Sequence, residues 1–239
     1  MKKKTIFLKK RIIMSNMFDR LAVRYDLLNK ILSFGQDALW RRKISLLIKN
    51  REKITILDLA AGTCDISLSI VKSLKNIKKI IAVDISSKML NVGRKKIKKN
   101  NMESIIITKK EDITKLSFNS NTFSLCVMGF GIRNVEKPKK CLQEIFRVLN
   151  KGGQIIILEF SIPKNILIRN IYFFYFRYIV PRIGGFITGY KNAYIYLNKT
   201  VESFPCGESF LDLMRASNFI KLSKVSLTFG IVTIYIGYK

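Results

Sequence analysis

A loop of small residues after an apolar run carries the residues best suited to chemistry in this chain. Residues 56–59 are apolar apart from Asp58, the loop Ala60-Ala61-Gly62-Thr63-Cys64-Asp65 follows, and a second strand-like run ends in Asp84. Small residues allow a ligand to approach the backbone, and a carboxylate about 20 residues further on can accept hydrogen bonds from both ribose hydroxyls. We therefore predict that Gly62, Thr63 and Asp84 bind a nucleoside-type cofactor.

The same loop narrows the choice of cofactor. It lacks a complete G-x-G-x-x-G pattern and has no lysine for phosphates, so a ribose without a pyrophosphate fits better. S-adenosylmethionine is a ligand of this kind. The alternative for Asp84 is a helix cap, a role for which Ser86 and Ser87 compete.

The charge of the chain does not by itself indicate a partner. The formal net charge is +28 over 239 residues, and basic chains often bind nucleic acid or anionic membranes. The lysines are scattered along the chain, however, and lysine, isoleucine and asparagine are abundant together, as in AT-rich coding sequences. Biased composition on solvated helix faces explains most of the charge, membrane attraction is the next explanation, and we expect no nucleic-acid partner.

Cysteine usage and hydropathy predict a cytoplasmic protein without a metal. The chain has no histidine and its four cysteines form no C-x-x-C pair, so we expect no zinc site, and Cys126 and Cys141 are expected to be buried and reduced. The apolar stretch 166–180 is interrupted by Arg169 and Arg177, and no run reaches the roughly 18 apolar residues of a membrane span.

Alternating short strands and helices predict an α/β fold with a doubly wound, mostly parallel sheet. We predict one domain, with a helical cap at 15–50, a cofactor-binding core at 54–160, an aromatic, irregular insertion at 161–200 on the substrate side, and a closing helix and hairpin at 201–239. Strands are expected near 54–59, 79–84, 104–108, 123–128, 154–160, 220–226 and 229–237, and helices near 65–75, 86–99, 138–149 and 207–217.

An ordered set of short segments resembles one family over almost the whole chain. Among them are Tyr25-Asp26-Leu27-Leu28-Asn29, Leu57-Asp58-Leu59-Ala60, Gly131-Ile132-Arg133-Asn134, Leu158-Glu159-Phe160 and Pro181-Arg182-Ile183-Gly184. This set is similar to the ubiquinone/menaquinone biosynthesis C-methyltransferases, which are class I S-adenosylmethionine-dependent enzymes. The pieces Phe204-Pro205 and Gly207-Glu208 are more similar to the menaquinone branch.

The resemblance implies a Rossmann-like sheet of seven strands, the last antiparallel, and methylation of a ring carbon of a prenylated quinol. The reaction would convert demethylmenaquinol to menaquinol, the last step of menaquinone biosynthesis. The chain departs from the family at three positions: Ala61 and Cys64 stand where glycine is usual, and Gly129 stands where serine is frequent. A Cβ at Cys64 is expected where the cofactor approaches the backbone.

Three more residues are candidates for cofactor binding. Asp112 follows the third predicted strand and could accept from the adenine amino group, while Ile113 packs on the ring; a solvated loop aspartate is the alternative. Gly129 ends the fourth predicted strand, where a small residue would keep the methyl-transfer path open. A glycine that only terminates the strand is an equally good explanation.

Arg133 and Asn134 are the candidates for the chemistry itself. Methylation of a ring carbon needs an electron-rich nucleophile, most simply a quinol that has lost one hydroxyl proton. Lowering a phenol-like pKa from near 10 to about 7 takes roughly 4 kcal/mol, an effect that a partly buried guanidinium can supply. Asn134 would hold a hydroxyl or water. With no histidine, the proton acceptor stays open among Asp19, Asp26, Tyr25 and Tyr194.

Some alternatives remain open at this level. The substrate could be a ubiquinone precursor, another small aromatic or a nucleic acid, and a non-catalytic membrane-surface binder is a further option. The aromatic stretch 171–180 suits either a plain core or an amphipathic surface that meets a prenyl tail at the inner face of a membrane. The oligomeric state is open, with a homodimer among the options.

Overall fold

The computed structural model describes residues 14–49 and 53–239. A seven-stranded sheet forms its centre, and its strands are β1 (Ile54–Leu59), β2 (Ile77–Asp84), β3 (Ile106–Lys110), β4 (Phe123–Gly129), β5 (Leu149–Phe160), β6 (Ile220–Leu227) and β7 (Val232–Tyr238). The strand order across the sheet is β3-β2-β1-β4-β5-β7-β6. Only β7 runs antiparallel to both of its neighbours, while β1 to β5 pair in parallel.

Helices cover both faces of the sheet and continue into a separate helical layer. In chain order they are α1 (residues 14–21), α2 (Tyr25–Leu32), α3 (Gln36–Leu47), α4 (Asp65–Ser73), α5 (Ser87–Lys99), α6 (Pro138–Val148), α7 (Ile166–Phe174), α8 (Val180–Thr188), α9 (Lys191–Ser203) and α10 (Glu208–Arg215). A π-helical turn, Tyr175–Ile179, joins α7 to α8. The short 3₁₀ helix Ile132–Asn134 follows β4.

Each face of the sheet has its own core. One core packs α6 and α10 against the sheet and includes Phe123, Ile145 and Phe210. The other packs α3 and α4 against the opposite face and includes Ile44 and Ile70. Burial of apolar area at roughly 25 cal/mol per Å² makes these two layers the main source of stability. They fix the carboxyl ends of β1, β2 and β4 in one row.

A third apolar cluster joins the two ends of the helical layer. Leu21 and Leu28, from the N-terminal helices, pack with Tyr172, Phe176 and Tyr194 from α7, the π turn and α9. Chain segments separated by about 150 residues in sequence thus form one layer over the carboxyl edge of the sheet. The layer has its own small core and encloses space above β4 and β5.

Several boundaries differ from those that the sequence predicts. The third strand is displaced by two residues, to 106–110, and β5 begins at Leu149, so that Gly152 and Gly153 lie within a continuous strand. The segment 161–200, predicted to be irregular, is mostly helical. Its dense aromatics hide the helical spacing, and Asn165 caps α7 through the backbone N–H of Leu167, at 2.9 Å. The predicted division of the chain into functional parts stays a prediction.

Candidate active site

The loop after β1 has an unusual backbone that turns its side chains away from the sheet edge. Ala60, Gly62 and Cys64 all have positive φ, at 52°, 54° and 63°. Cys64 is fully buried, and a Cβ placed on Gly93 of α5 would lie only 2.6 Å from its sulfur. The Cys64 side chain therefore packs under α5 instead of at the edge where a cofactor would approach. Burial raises the pKa of this thiol, which keeps it protonated and unreactive.

Asp84 is oriented by the backbone on both sides of it. The Gly62 N–H donates to Oδ2 at 2.8 Å and the Ser86 N–H donates to Oδ1 at 2.8 Å. Burial raises the pKa of Asp84, and these backbone hydrogen bonds counteract the rise. The Ser86 hydroxyl caps α5 by accepting from the Met89 N–H at 3.1 Å. Ser86, and not Asp84, is therefore the residue that caps α5.

The backbone at Gly62 leaves room for a ligand such as S-adenosylmethionine to approach the loop. A Cβ at Gly62 would meet no atom within 4 Å, so the backbone there is open to a close approach. A Cβ at Gly129 would lie 2.3 Å from the Ile66 Cδ1, so a serine at this position would push against α4. The absence of a side chain at Gly129 therefore has a packing reason in this chain. Its role beside the cofactor stays a prediction.

Asp112 and Ile113 lie after β3, beyond Asp84 along the same edge. The Asp112 Oδ1 accepts from the Thr114 N–H at 3.0 Å and from its hydroxyl at 2.8 Å, which closes a tight turn. Ile113 is partly buried and packs against the core under α6. These contacts fix the turn, and contact of either residue with an adenine stays a prediction.

Thr63 connects the loop to the helical layer. Its hydroxyl donates to the Asp26 Oδ1 at 2.6 Å, and the Lys96 ammonium lies 2.8 Å from the Asp26 Oδ2. Lys96 also forms an ion pair with Asp65 at the start of α4, and Arg41 approaches the same carboxylate at 3.5 Å. The single hydroxyl proton of Thr63 is thus committed to Asp26. The Thr63 hydroxyl could therefore contact a cofactor only as a hydrogen-bond acceptor.

A second bridge links α1 to the start of α5. Asp19 accepts a hydrogen bond from the Ser86 hydroxyl, and the Lys88 N–H lies 3.4 Å from the same oxygen. Two candidate proton acceptors, Asp19 and Asp26, therefore bond to the cofactor side of the site. The other two candidates, Tyr25 and Tyr194, line the cavity between the helical layer and the ends of β4 and β5.

Arg133 and Asn134 lie on the 3₁₀ turn after β4, where the chain leaves the sheet edge. The Arg133 Nη1 donates to the Phe130 carbonyl at 2.6 Å and to the Glu159 Oε1 at 2.7 Å. The Arg133 side chain is 7% exposed and Glu159 is fully buried. The guanidinium also lies 5.2 Å from the centre of the Phe160 ring. Glu159 is thus a partner that fixes the guanidinium in one orientation.

The ion pair changes the electrostatic argument for Arg133. From the sequence alone, Arg133 is a guanidinium with no known partner. In the structure the carboxylate of Glu159 offsets its positive charge. Among the described residues, the Arg133 Nε is a buried donor without a partner. The Asn134 Oδ1 is a buried acceptor that also has no partner there. Buried polar atoms normally find partners, so this pair of atoms is a candidate for hydrogen bonding to a ligand.

Both residues line a cavity of about 600 Å³. Its walls are mostly apolar or aromatic and come from both ends of the helical layer, from α3 and from the ends of β4 and β5, including Leu21, Tyr25, Leu28, Trp40, Phe130, Phe160, Tyr172, Phe176, Tyr194 and Leu197. Apolar cavities with a few convergent polar groups are typical ligand sites. The size and lining suit a bicyclic aromatic ring with an apolar tail.

Three residues of the site were not singled out as site residues from sequence. Glu159 lies in a segment used only for the family resemblance, and a glutamate within an otherwise apolar strand is the signal that could have revealed it. Asp58 gave the same signal: it is fully buried in β1, and burial raises its pKa to about 7. Tyr172 was concealed by the aromatic residues around it.

Metal ligands and membrane spans were also sought in the part of the chain that the structure describes. Within residues 14–49 and 53–239, no group of three or more histidine, cysteine, aspartate or glutamate side chains is placed to hold a metal ion. No described helix has the length and apolar character required to cross a bilayer.

The fold and this edge geometry define the class of protein. A sheet of order β3-β2-β1-β4-β5-β7-β6 with β7 antiparallel is that of the class I methyltransferases. An S-adenosylmethionine-dependent methyltransferase of Thermotoga maritima superposes with a TM-score of 0.68 over 94% of this chain and 99% of that one, at 19% identity. One from Aquifex aeolicus gives a TM-score of 0.60 over 89% and 97%, at 14% identity. At these identities the likeness concerns the fold.

Sequence comparison defines the family within that class. The family model described as the ubiE/COQ5 methyltransferase family matches residues 5–239, and the chain belongs to this family. The demethylmenaquinone methyltransferase of Bacteroides fragilis is 37% identical over 231 residues, covering 97% of this chain and 94% of the relative. The ubiquinone/menaquinone biosynthesis C-methyltransferase UbiE of Bdellovibrio bacteriovorus is 38% identical over 226 residues, covering 94% and 95%. The resemblance noted from short segments is confirmed over nearly the full length.

Proposed function

We propose that this enzyme transfers a methyl group from S-adenosylmethionine to a ring carbon of demethylmenaquinol and so forms menaquinol. The observation that carries the proposal is that Arg133 and Asn134 line an apolar cavity beside the carboxyl edge of the sheet, and each carries a buried polar atom, Nε and Oδ1, without a partner among the described residues. Relatives named for this activity support the substrate. Other relatives carry both quinones in their names, so a ubiquinone precursor is the second candidate substrate.

The cofactor would be held along the loop after β1. Gly62 offers a close approach, Asp84 offers a carboxylate oriented by two backbone N–H groups, and Asp112 with Ile113 borders the same edge. When bound, S-adenosylmethionine supplies a methyl group on a positively charged sulfur. These assignments follow from position and hydrogen-bonding capacity.

The protein's part in the reaction is to make the quinol ring electron-rich and to exclude water. Arg133, held by Glu159, would donate from Nε to one quinol oxygen and so favour its ionised form. Negative charge on that oxygen increases electron density at the neighbouring ring carbon, which would form the new carbon–carbon bond as the methyl–sulfur bond breaks and the sulfur keeps the electron pair. The ring carbon would then lose its proton to water at the cavity mouth, because burial raises the pKa of Tyr25 and Tyr194 and keeps both of these cavity-lining phenols protonated. Asn134 would hold the bound hydroxyl in place.

The mouth of the cavity would open toward a membrane. Phe34, Ile171 and Phe229 line the cavity and are 80%, 70% and 79% exposed, an apolar rim that water covers poorly. Leu167 and Phe174 extend this rim along α7. Residues 161–203 contain six basic residues and only one acidic residue, Glu202. An apolar rim within a basic surface suits peripheral binding to an anionic bilayer at the inner face of the membrane.

Turnover of the reduced substrate is the first test. Purified protein, S-adenosylmethionine and demethylmenaquinol should give a product heavier by one methylene group in mass spectrometry. The oxidised quinone is the matched control and should not react, because it lacks the electron-rich ring. Absence of product together with absence of cofactor binding in calorimetry would overturn the proposal.

Vesicle sedimentation tests the membrane surface separately. The double variant Leu167→Asp/Ile171→Asp should bind phosphatidylglycerol vesicles at least tenfold more weakly than wild type, because it places charges on the apolar rim. Leu46→Asp on α3 is the control, since Leu46 is 68% exposed but does not line the cavity. Equal binding of the double variant and wild type would contradict this assignment.

A further inference from the structure

A third residue of the cavity wall carries a buried polar atom without a partner and has no role in the proposal so far. Tyr172, on α7, lines the cavity and is 4% exposed, and its buried hydroxyl forms no hydrogen bond with the residues that the structure describes. Tyrosines that are buried this deeply usually find a partner for the hydroxyl. Tyr175, three residues on, illustrates the difference because its hydroxyl donates to the Leu32 carbonyl at 2.9 Å.

The ring packing of Tyr172 holds its hydroxyl in a fixed position, although the hydroxyl has no hydrogen-bond partner among the described residues. Its ring packs 4.5 Å from the ring of Phe176 and 5.8 Å from that of Phe173, measured between ring centres. Both α7 and the π turn that follows contribute to this packing. A hydroxyl on a ring that is fixed on two sides has little freedom to search for another partner.

The charges near Tyr172 define what the hydroxyl can do. Burial raises the pKa of Tyr172 strongly, the positive charge of Arg133 lowers it, and Glu159 raises it. The hydroxyl therefore stays protonated at neutral pH and acts as a hydrogen-bond donor. It cannot serve as the base of the reaction.

We infer that Tyr172 is a substrate-positioning residue that donates to the second oxygen of the quinol ring, the one para to the oxygen that Arg133 binds. The inference rests on the proposed quinol substrate. A 1,4-dihydroxy ring carries two oxygens on opposite sides, and the cavity wall contains residues on separate elements whose buried polar atoms lack partners among the described residues: Arg133 Nε and Asn134 Oδ1 after β4, and the Tyr172 hydroxyl on α7. Holding both oxygens fixes the rotation of the ring in its own plane, which selects the carbon presented to the methyl donor.

Tyr172→Phe removes the hydroxyl and keeps the ring packing. The variant should show about a tenfold lower kcat/KM for demethylmenaquinol, the size expected for one hydrogen bond made in a desolvated site. Affinity for S-adenosylmethionine in calorimetry should be unchanged. Tyr190→Phe is the matched control, since Tyr190 does not line the cavity, and it should behave as wild type.

Two monohydroxy analogues separate positioning from a structural role. Each is a 2-prenylnaphthol that keeps one of the two ring oxygens. The analogues are compared as competitive inhibitors, because the one without the oxygen bound by Arg133 has no activated ring carbon. Tyr172→Phe should weaken inhibition by the analogue that keeps the oxygen bound by Tyr172 and should leave inhibition by the other analogue unchanged. Equal weakening of inhibition by both analogues, or a kcat/KM within twofold of wild type on the quinol, would overturn the inference. Failure of the wild-type chain to methylate demethylmenaquinol would instead refute the proposed substrate.

Discussion

Cys64 and Gly93 are in such close contact that residue 93 has no room for a side chain. A Cβ at this position would lie 2.6 Å from the Cys64 sulfur and 3.3 Å from its Cβ. The cysteine is accommodated in the loop because α5 carries a glycine opposite it. A departure from the glycine usual in the family is thus compensated by a residue 29 positions further on.

Gly93→Ala should therefore destabilise the protein, by about 1–3 kcal/mol as for other overpacked sites. The same substitution in a Cys64→Gly background should cost less than half of that, because the obstructing sulfur is gone. Urea unfolding of the four proteins in this double-mutant cycle gives the coupling free energy. Additive effects would show that the two residues are not in contact in solution.

Cys64→Gly alone should change affinity for S-adenosylmethionine only modestly. The Cys64 side chain points under α5, so its removal opens no space at the cofactor edge. Glycine also adopts the positive φ of this position without the strain of about 1 kcal/mol that a Cβ brings. Isothermal titration calorimetry checks the prediction, and an increase in affinity of tenfold or more would contradict the assigned orientation.

Asp84→Ala should weaken binding of S-adenosylmethionine by at least tenfold, since it removes the oriented carboxylate. Ser86→Ala provides the control because it removes the cap of α5 but leaves the backbone N–H that holds Asp84. That variant should lose about 1 kcal/mol of stability and keep its cofactor affinity. Weakened binding in the Ser86 variant and not in the Asp84 variant would reverse the assignment.

Arg133→Lys should lower kcat by about a hundredfold while cofactor affinity is retained. Lysine keeps the charge beside Glu159 but lacks the buried Nε–H, the donor that we propose for the quinol oxygen. Glu159→Gln should instead lower stability by about 3–5 kcal/mol, because it leaves the Arg133 charge buried without its partner. Steady-state kinetics and thermal unfolding distinguish the two outcomes. Normal turnover by Arg133→Lys would exclude a specific role for Nε.

Asp58 should make the folded protein less stable as the pH rises from about 4 to 7. Burial raises its pKa to about 7, above the value near 3.9 of an unfolded chain, so the folded state binds the proton more tightly in this window. Linkage then reduces stability by up to about 1.4 kcal/mol per pH unit. Asp58→Asn should remove this contribution. Urea unfolding of both proteins across this range measures it as a difference in slope.

The sequence predicted the sheet well because parallel strands with apolar runs are bounded by clear loop signals. It located Asp84 at the carboxyl edge for the same reason, whereas Arg133 became a candidate through a segment that resembles the family. It could not supply Glu159 as the partner of Arg133, since their pairing depends on the alignment of β4 with β5. Nor could the sequence tell which aromatic residues of α7 line the cavity and which are exposed. In the structure Tyr172 lines the cavity and Phe174 is exposed to solvent.

Tyr25 and Asp26, consecutive residues of α2, contact different halves of the site. Tyr25 lines the quinol cavity, whereas Asp26 accepts the hydroxyl proton of Thr63 on the cofactor loop. Any displacement of this one helical turn alters both halves at once. We therefore expect the two ligands to be thermodynamically linked, so that each changes the affinity for the other by the same factor.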